Sequence, residues 1–110
     1  MAIPERWIRD VVFEALRRDF GHQWLGLTQA VAWVAIERGM TPPRQDTRIV
    51  QIEPVDEPAV RRCVEALLAD GVLSLGTGAR AEWPWLSLTP RGRALVFGGL
   101  DGAPSGLQGA

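Results

Sequence analysis

The chain has 110 residues, 46% hydrophobic and 23% charged, with a formal net charge of −1, which excludes two ordinary cores and a disordered chain and leaves one compact domain. All basic residues are Arg, and Lys, Asn and Tyr are absent, so a Schiff-base amine, a phosphate-loop lysine and a phenolic acid or base are excluded. Cys63 is the single cysteine, no apolar run reaches the ~18 residues of a membrane span, and no apolar leader precedes Trp7. The expected compartment is the reducing cytoplasm.

Pro4 opens the first periodic segment, its fixed φ suiting a first helical turn, with Glu5 near the positive end of the dipole. From there to Asp19 the spacing predicts a helix. Ile8, Val11, Val12, Ala15 and Leu16 form its apolar stripe, Arg6, Arg9, Asp10, Arg17 and Arg18 its wet side, and Gly21 its stop. Trp7, Phe13 and Phe20 widen the stripe, through either a broad core contact or a second contact surface. Residues 24–27 read as a short extended piece, with Thr28 as N-cap of a second helix that runs to about Arg38 and ends at Gly39. Residues 30–36 are almost wholly apolar, so this helix is expected to be buried on nearly all sides, within the monomer or against a partner chain.

Pro42, Pro43, Pro54 and Pro58 forbid a long helix over 40–58, and residues 49–52 offer at most a short strand. A connection of that length is a site candidate in itself. Asp56 is placed as the cap of a third helix, with Pro58 in its first turn, Val60, Val64, Leu67 and Leu68 as its stripe, and Gly71 as its end. Cys63 beside the stripe reads as a near-core residue. Residues 73–75 and 85–88 alternate as strands around a turn at Gly76-Thr77-Gly78, and Thr89-Pro90 repeats the cap-plus-proline signature before a short helix through about Phe97. The expected organisation is one domain over 1–97, mainly α with a small β-hairpin (α+β). A flexible Gly-rich tail over 98–110 follows it.

The stretch Val60-Arg61-Arg62-Cys63-Val64-Glu65-Ala66-Leu67-Leu68-Ala69-Asp70-Gly71-Val72-Leu73, followed by Leu86-Ser87-Leu88-Thr89-Pro90-Arg91-Gly92-Arg93-Ala94-Leu95, resembles the winged helix-turn-helix family of bacterial transcription regulators. The resemblance covers 57–97 in wording and the first two helices in order alone. It implies that the third helix is a recognition helix, that the hairpin is a wing, and that double-stranded DNA is the partner. One departure stands out: about seventeen residues separate Gly39 from Glu57, where the family's turn has three or four. A long Pro-rich insertion between the second and third helices is tolerated by the fold, since loops lengthen at small entropic cost.

On that resemblance, Arg61 and Arg62 match positions that touch bases and phosphates. They share the helix with Asp56, Glu57, Glu65 and Asp70, a balance of −2 over 56–71, which opposes phosphate. Residues 72–97 carry Arg80, Arg91 and Arg93 against Glu82 alone, a balance of +2, and Arg44 and Arg48 in the long connection could join them. Surface arginines paired with nearby acids explain the same pattern without any ligand. Trp83 and Trp85 flank Pro84 in the wing; one is expected to pack on the core and the other to meet a partner. With Trp7, Phe13 and Trp33 they form the candidate interface set. Gly76-x-Gly78-x-x-Ala81 imitates a dinucleotide fingerprint but is followed by a returning strand, not a helix. His22 and Cys63 lack an orienting group or oxyanion donors nearby, and one of each is too few for a metal site. The expectation is a non-enzymatic regulator without cofactor or metal. It acts as a DNA-binding homodimer or, alternatively, as a protein-protein interaction module.

Overall fold

A computed structural model describes residues 3–40, 51–76 and 81–101. A 3₁₀ turn at Glu5–Trp7 leads into α1 (Ile8–Leu16); α2 (Trp24–Glu37), α3 (Glu57–Ala69), β1 (Leu73–Leu75), β2 (Leu86–Leu88) and α4 (Pro90–Asp101) follow. The expected mainly α arrangement with a small antiparallel hairpin is observed. Its pairs are Leu73–Leu88, Ser74–Ser87 and Leu75–Leu86.

The stripe of α1 is buried as its spacing demands, from Ile8 through Val11, Val12 and Ala15 to Leu16. The helix is shorter than expected at both ends. Pro4 starts the 3₁₀ turn by accepting the Trp7 N–H, and the chain tightens after Leu16, where the Arg17 and Arg18 amides bond three residues back to Glu14 and Ala15. Phe20 then folds under and joins the core.

The extended reading of residues 24–27 is corrected, because α2 begins at Trp24. Only Gln23 is extended, at φ −148° and ψ 162°. The reason is tertiary: the Trp24 amide donates to the Pro84 carbonyl at 2.9 Å, so the hairpin satisfies a helix-start donor that no side chain caps. Gly26 lets this first turn sit on the chain before it, since a Cβ there would collide with the Phe20 carbonyl. Thr28 is therefore inside the helix rather than its cap, and its hydroxyl donates to the Leu25 carbonyl at 2.7 Å. Half of α2 is buried, Leu27, Val31 and Val34 completely, while Leu25 and Trp33 face outward, so the helix is not covered on nearly all sides as its composition suggested.

Gly39 and Gly71 end α2 and α3 at φ +73° and +76°, a left-handed turn that lets the Met40 and Val72 amides reach back to Ala35 and Leu67. Asp56 stands where a cap was expected but makes no capping bond. Its carboxylate is buried and accepts the Ile3 amide at 3.3 Å, tying the N-terminal segment to the start of α3. Val60, Val64 and Leu67 fill the centre against α1.

β2 starts one residue later than expected because Trp85 instead bridges Gln23, in an antiparallel pairing outside the hairpin. Leu86 N–H donates to the His22 carbonyl at 2.8 Å, so the segment before α2 runs along the hairpin edge. Thr89 caps α4, its hydroxyl oxygen accepting the Gly92 amide at 2.9 Å and donating to the Gly71 carbonyl. The helix extends to Asp101, beyond the boundary expected at 97. On the outside, Glu14 joins Arg38 and, at 3.2 Å, Arg18, which reaches Glu37 at 2.5 Å. This network binds α1 to α2. Among the described residues no helix is long and apolar enough to cross a membrane.

Candidate nucleic-acid interface

Side chains from three distant parts of the sequence meet where the hairpin leans on α3. The rings of Trp24 and Trp83 have centroids 5.5 Å apart and are tilted by 38°. The Arg61 guanidinium lies 4.0 Å from the Trp83 centroid and 5.7 Å from that of Trp24. Trp24 is fixed by the backbone bond to Pro84, Trp83 by the turn in which the Trp85 amide bonds Glu82, and Arg61 by the second turn of α3. The Trp83–Pro84 peptide is cis. Arg61 Nε is buried without a hydrogen bond, 3.4 Å from Glu65 Oε2, while the side chain as a whole stays 43% exposed. A guanidinium is weakly hydrated and stacks on indole, so this environment holds it in one orientation without neutralising it fully.

Arg62 leaves α3 on another side. It lines a shallow cleft of about 240 Å³ with Glu5, Arg9 and Cys63. Neither Arg9 nor Arg62 makes an ion pair among the described residues; Arg9 lies 4.9 Å over the Phe13 ring. Burial pushes the Cys63 thiol up, against a smaller opposing pull from Arg9. It is therefore a protonated, weakly nucleophilic group. His22 lines a different cleft, its ring 5.7 Å from that of Phe20.

The two α4 arginines lie apart from this junction. Thr89 is tied to Gly71 and Val72 at the base of the hairpin, so Arg91 and Arg93 follow the base and not the tip. Arg93 lines a cleft with Arg17, His22 and Phe97. Arg44, Arg48 and Arg80 lie outside the described residues, as does the Gly78 half of the glycine pair. Of the aromatic candidates, Phe13 and Trp83 pack against the core and Trp85 is half-buried along the Gln23 bridge. Trp7 and Trp33 are 40% and 46% exposed. The residues the sequence did not single out are Trp24, hidden inside an apparent extended piece, and Arg9, which looked like one more solvated charge. Neither has a local signal, because each acquires its neighbours only through tertiary packing.

No family model, curated protein or solved structure matches the chain.

Proposed function

We propose that this chain is a winged helix-turn-helix regulator that binds double-stranded DNA as a homodimer. The fold reading is supported by the order of three helices, hairpin and closing helix, and by the Gln23–Trp85 bridge, which gives the hairpin a third edge from the segment before α2. The DNA reading is carried by one observation: Arg61, at the junction of α3 and the wing, is held by two indoles with its side chain still open to solvent. Arg62 and Arg9, on another side of α3, share a cleft with Glu5 and make no ion pair among the described residues.

These cations position a duplex by its phosphates rather than read its bases. Glu57, Glu65 and Asp70 are exposed along the same helix and limit how deeply α3 can enter a groove. Contact then falls to the helix–wing junction around Arg61. The dimer forms through α2, where Leu25 and Trp33 line one open groove of about 530 Å³. Fluorescence anisotropy with a mixed-sequence duplex tests the assignment. Arg61→Gln and Arg62→Gln are each expected to weaken binding by about fivefold, and Arg93→Gln to leave it unchanged. Equal losses at Arg61 and Arg93 would mean diffuse attraction without an interface.

A second reading, a protein partner, is favoured by the same exposed acids. It predicts that an arginine-rich protein surface engages α3 and that Glu57→Gln with Glu65→Gln weakens that engagement while leaving the fold intact.

A further inference from the structure

A further cleft opens between the end of α1, the turn at residues 19–22, the end of β2 and α4. Its volume is about 220 Å³, below the roughly 300–1,000 Å³ of sites for drug-sized ligands. Leu16, Phe20, Leu88 and Phe97 supply apolar lining, and Arg17 and Arg93 supply charge. Phe97 is 39% exposed, an aromatic surface left open beside two cations.

The two arginines are differently prepared. Arg17 Nε donates to the Val96 carbonyl at 2.8 Å, which fixes the guanidinium and leaves its two terminal nitrogens for an anion. Arg93, one helical turn before Phe97, has no ion pair or side-chain hydrogen bond among the described residues. The other charges nearby are already engaged. Arg18 is held by Glu14 and Glu37, and Asp19 accepts the Gly21 amide at 3.1 Å. The cleft thus presents two cations without ion pairs among the described residues against one lining carboxylate, Asp19, whose Oδ1 accepts the Gly21 amide.

We infer that this cleft binds a small aryl carboxylate, its carboxylate bridging Arg17, just after α1, and Arg93 of α4 and its ring covering Phe97 and Leu88. An inorganic anion would leave the apolar lining uncovered, and a neutral aryl compound would leave the two cations unmatched; both components are needed. Such a ligand joins α1 to α4 beside the His22 carbonyl that holds the hairpin. The inference stands independently of DNA binding.

Calorimetric titration of the full chain with phenylacetate tests it, with 2-phenylethanol and inorganic phosphate as probes of each half of the recognition. Saturable binding at one per chain is expected, weakened at least about tenfold in Arg93→Gln, with both probes at least about tenfold weaker than phenylacetate. Circular dichroism of Arg93→Gln checks that the fold is kept, and Phe97→Ala is expected to weaken phenylacetate without improving phosphate. No saturable heat up to about 10 mM phenylacetate, an unaffected Arg93→Gln, or phosphate binding as well as phenylacetate would each overturn the inference. Because Arg93 lies outside the proposed DNA contact, loss of ligand binding with DNA binding retained keeps the two ideas separable.

Discussion

Arg61 and Glu14 are both ionised side chains at helix surfaces, yet their surroundings give them opposite roles. Arg61 is placed by aromatic rings and stays partly open to solvent. Glu14 is satisfied internally: hydrogen bonding to Arg38, with further help from Arg18, holds its carboxyl below the ordinary range against a smaller cost of burial. A carboxyl depressed in the folded state contributes stability above its unfolded pKa, near 4.3, and loses it as pH falls through the lower folded value. The melting temperature is therefore expected to drop as pH is lowered from about 5 towards 3. Glu14→Gln should cost about 1 kcal/mol at neutral pH and flatten that acid limb. Thermal melts across this range check it; an unchanged acid limb in the variant would remove Glu14 from the account.

At the scale of elements, the apolar stripes of α1 and α3, the glycine stops and the hairpin were legible because each is encoded by local spacing. The start of α2 was not. Trp-Leu-Gly-Leu has poor local helix credentials, and what makes it helical is a carbonyl sixty residues away on Pro84 and a close approach to Phe20. Asp56 was located correctly and its role misread, since a cap and a buried anchor for the Ile3 amide look alike in sequence. Thr89 is the converse, a cap that also ties α4 to the base of the hairpin through Gly71. Thr89→Ala is expected to cost about 1–2 kcal/mol in denaturant unfolding. Thr89→Ser, which keeps the hydroxyl, should recover most of that loss. Equal destabilisation by both substitutions would show that the methyl group and not the hydrogen bonds matters.

For the molecule as a whole, the near-zero net charge conceals its distribution. Arg18 and Arg38 are spent on tying α1 to α2, Arg17 and Arg93 face the cleft beside α4, and Arg61, Arg62 and Arg9 surround the first turns of α3. The candidate site was only partly legible: segment charge favoured Arg80, Arg91 and Arg93 over the acidic third helix, whereas the fold places Arg91 and Arg93 after the base of the hairpin and sets Arg61 of α3 against two indoles. Segment charge cannot separate two faces that share one stretch of chain. The exposed Trp33 on the groove of α2 belongs to this scale as well. Light scattering at tens of micromolar should give the mass of a dimer, and Trp33→Glu that of a monomer with an unchanged circular dichroism spectrum and a melting temperature that no longer depends on concentration. A monomer in the unsubstituted chain would contradict the proposed dimer.

In the proposed complex Arg61 at the α3–wing junction, with Arg62 and Arg9 on another side of α3, holds a duplex by its phosphates. A titration of labelled duplex at several salt concentrations measures that most directly. Counterion release gives a slope of about −0.9 per phosphate neutralised, so three to five contacts predict a log–log slope between about −3 and −5, reduced by about 1 in Arg61→Gln. No detectable binding to any duplex at about 50 mM salt, or a slope that Arg61→Gln leaves unchanged, would contradict it.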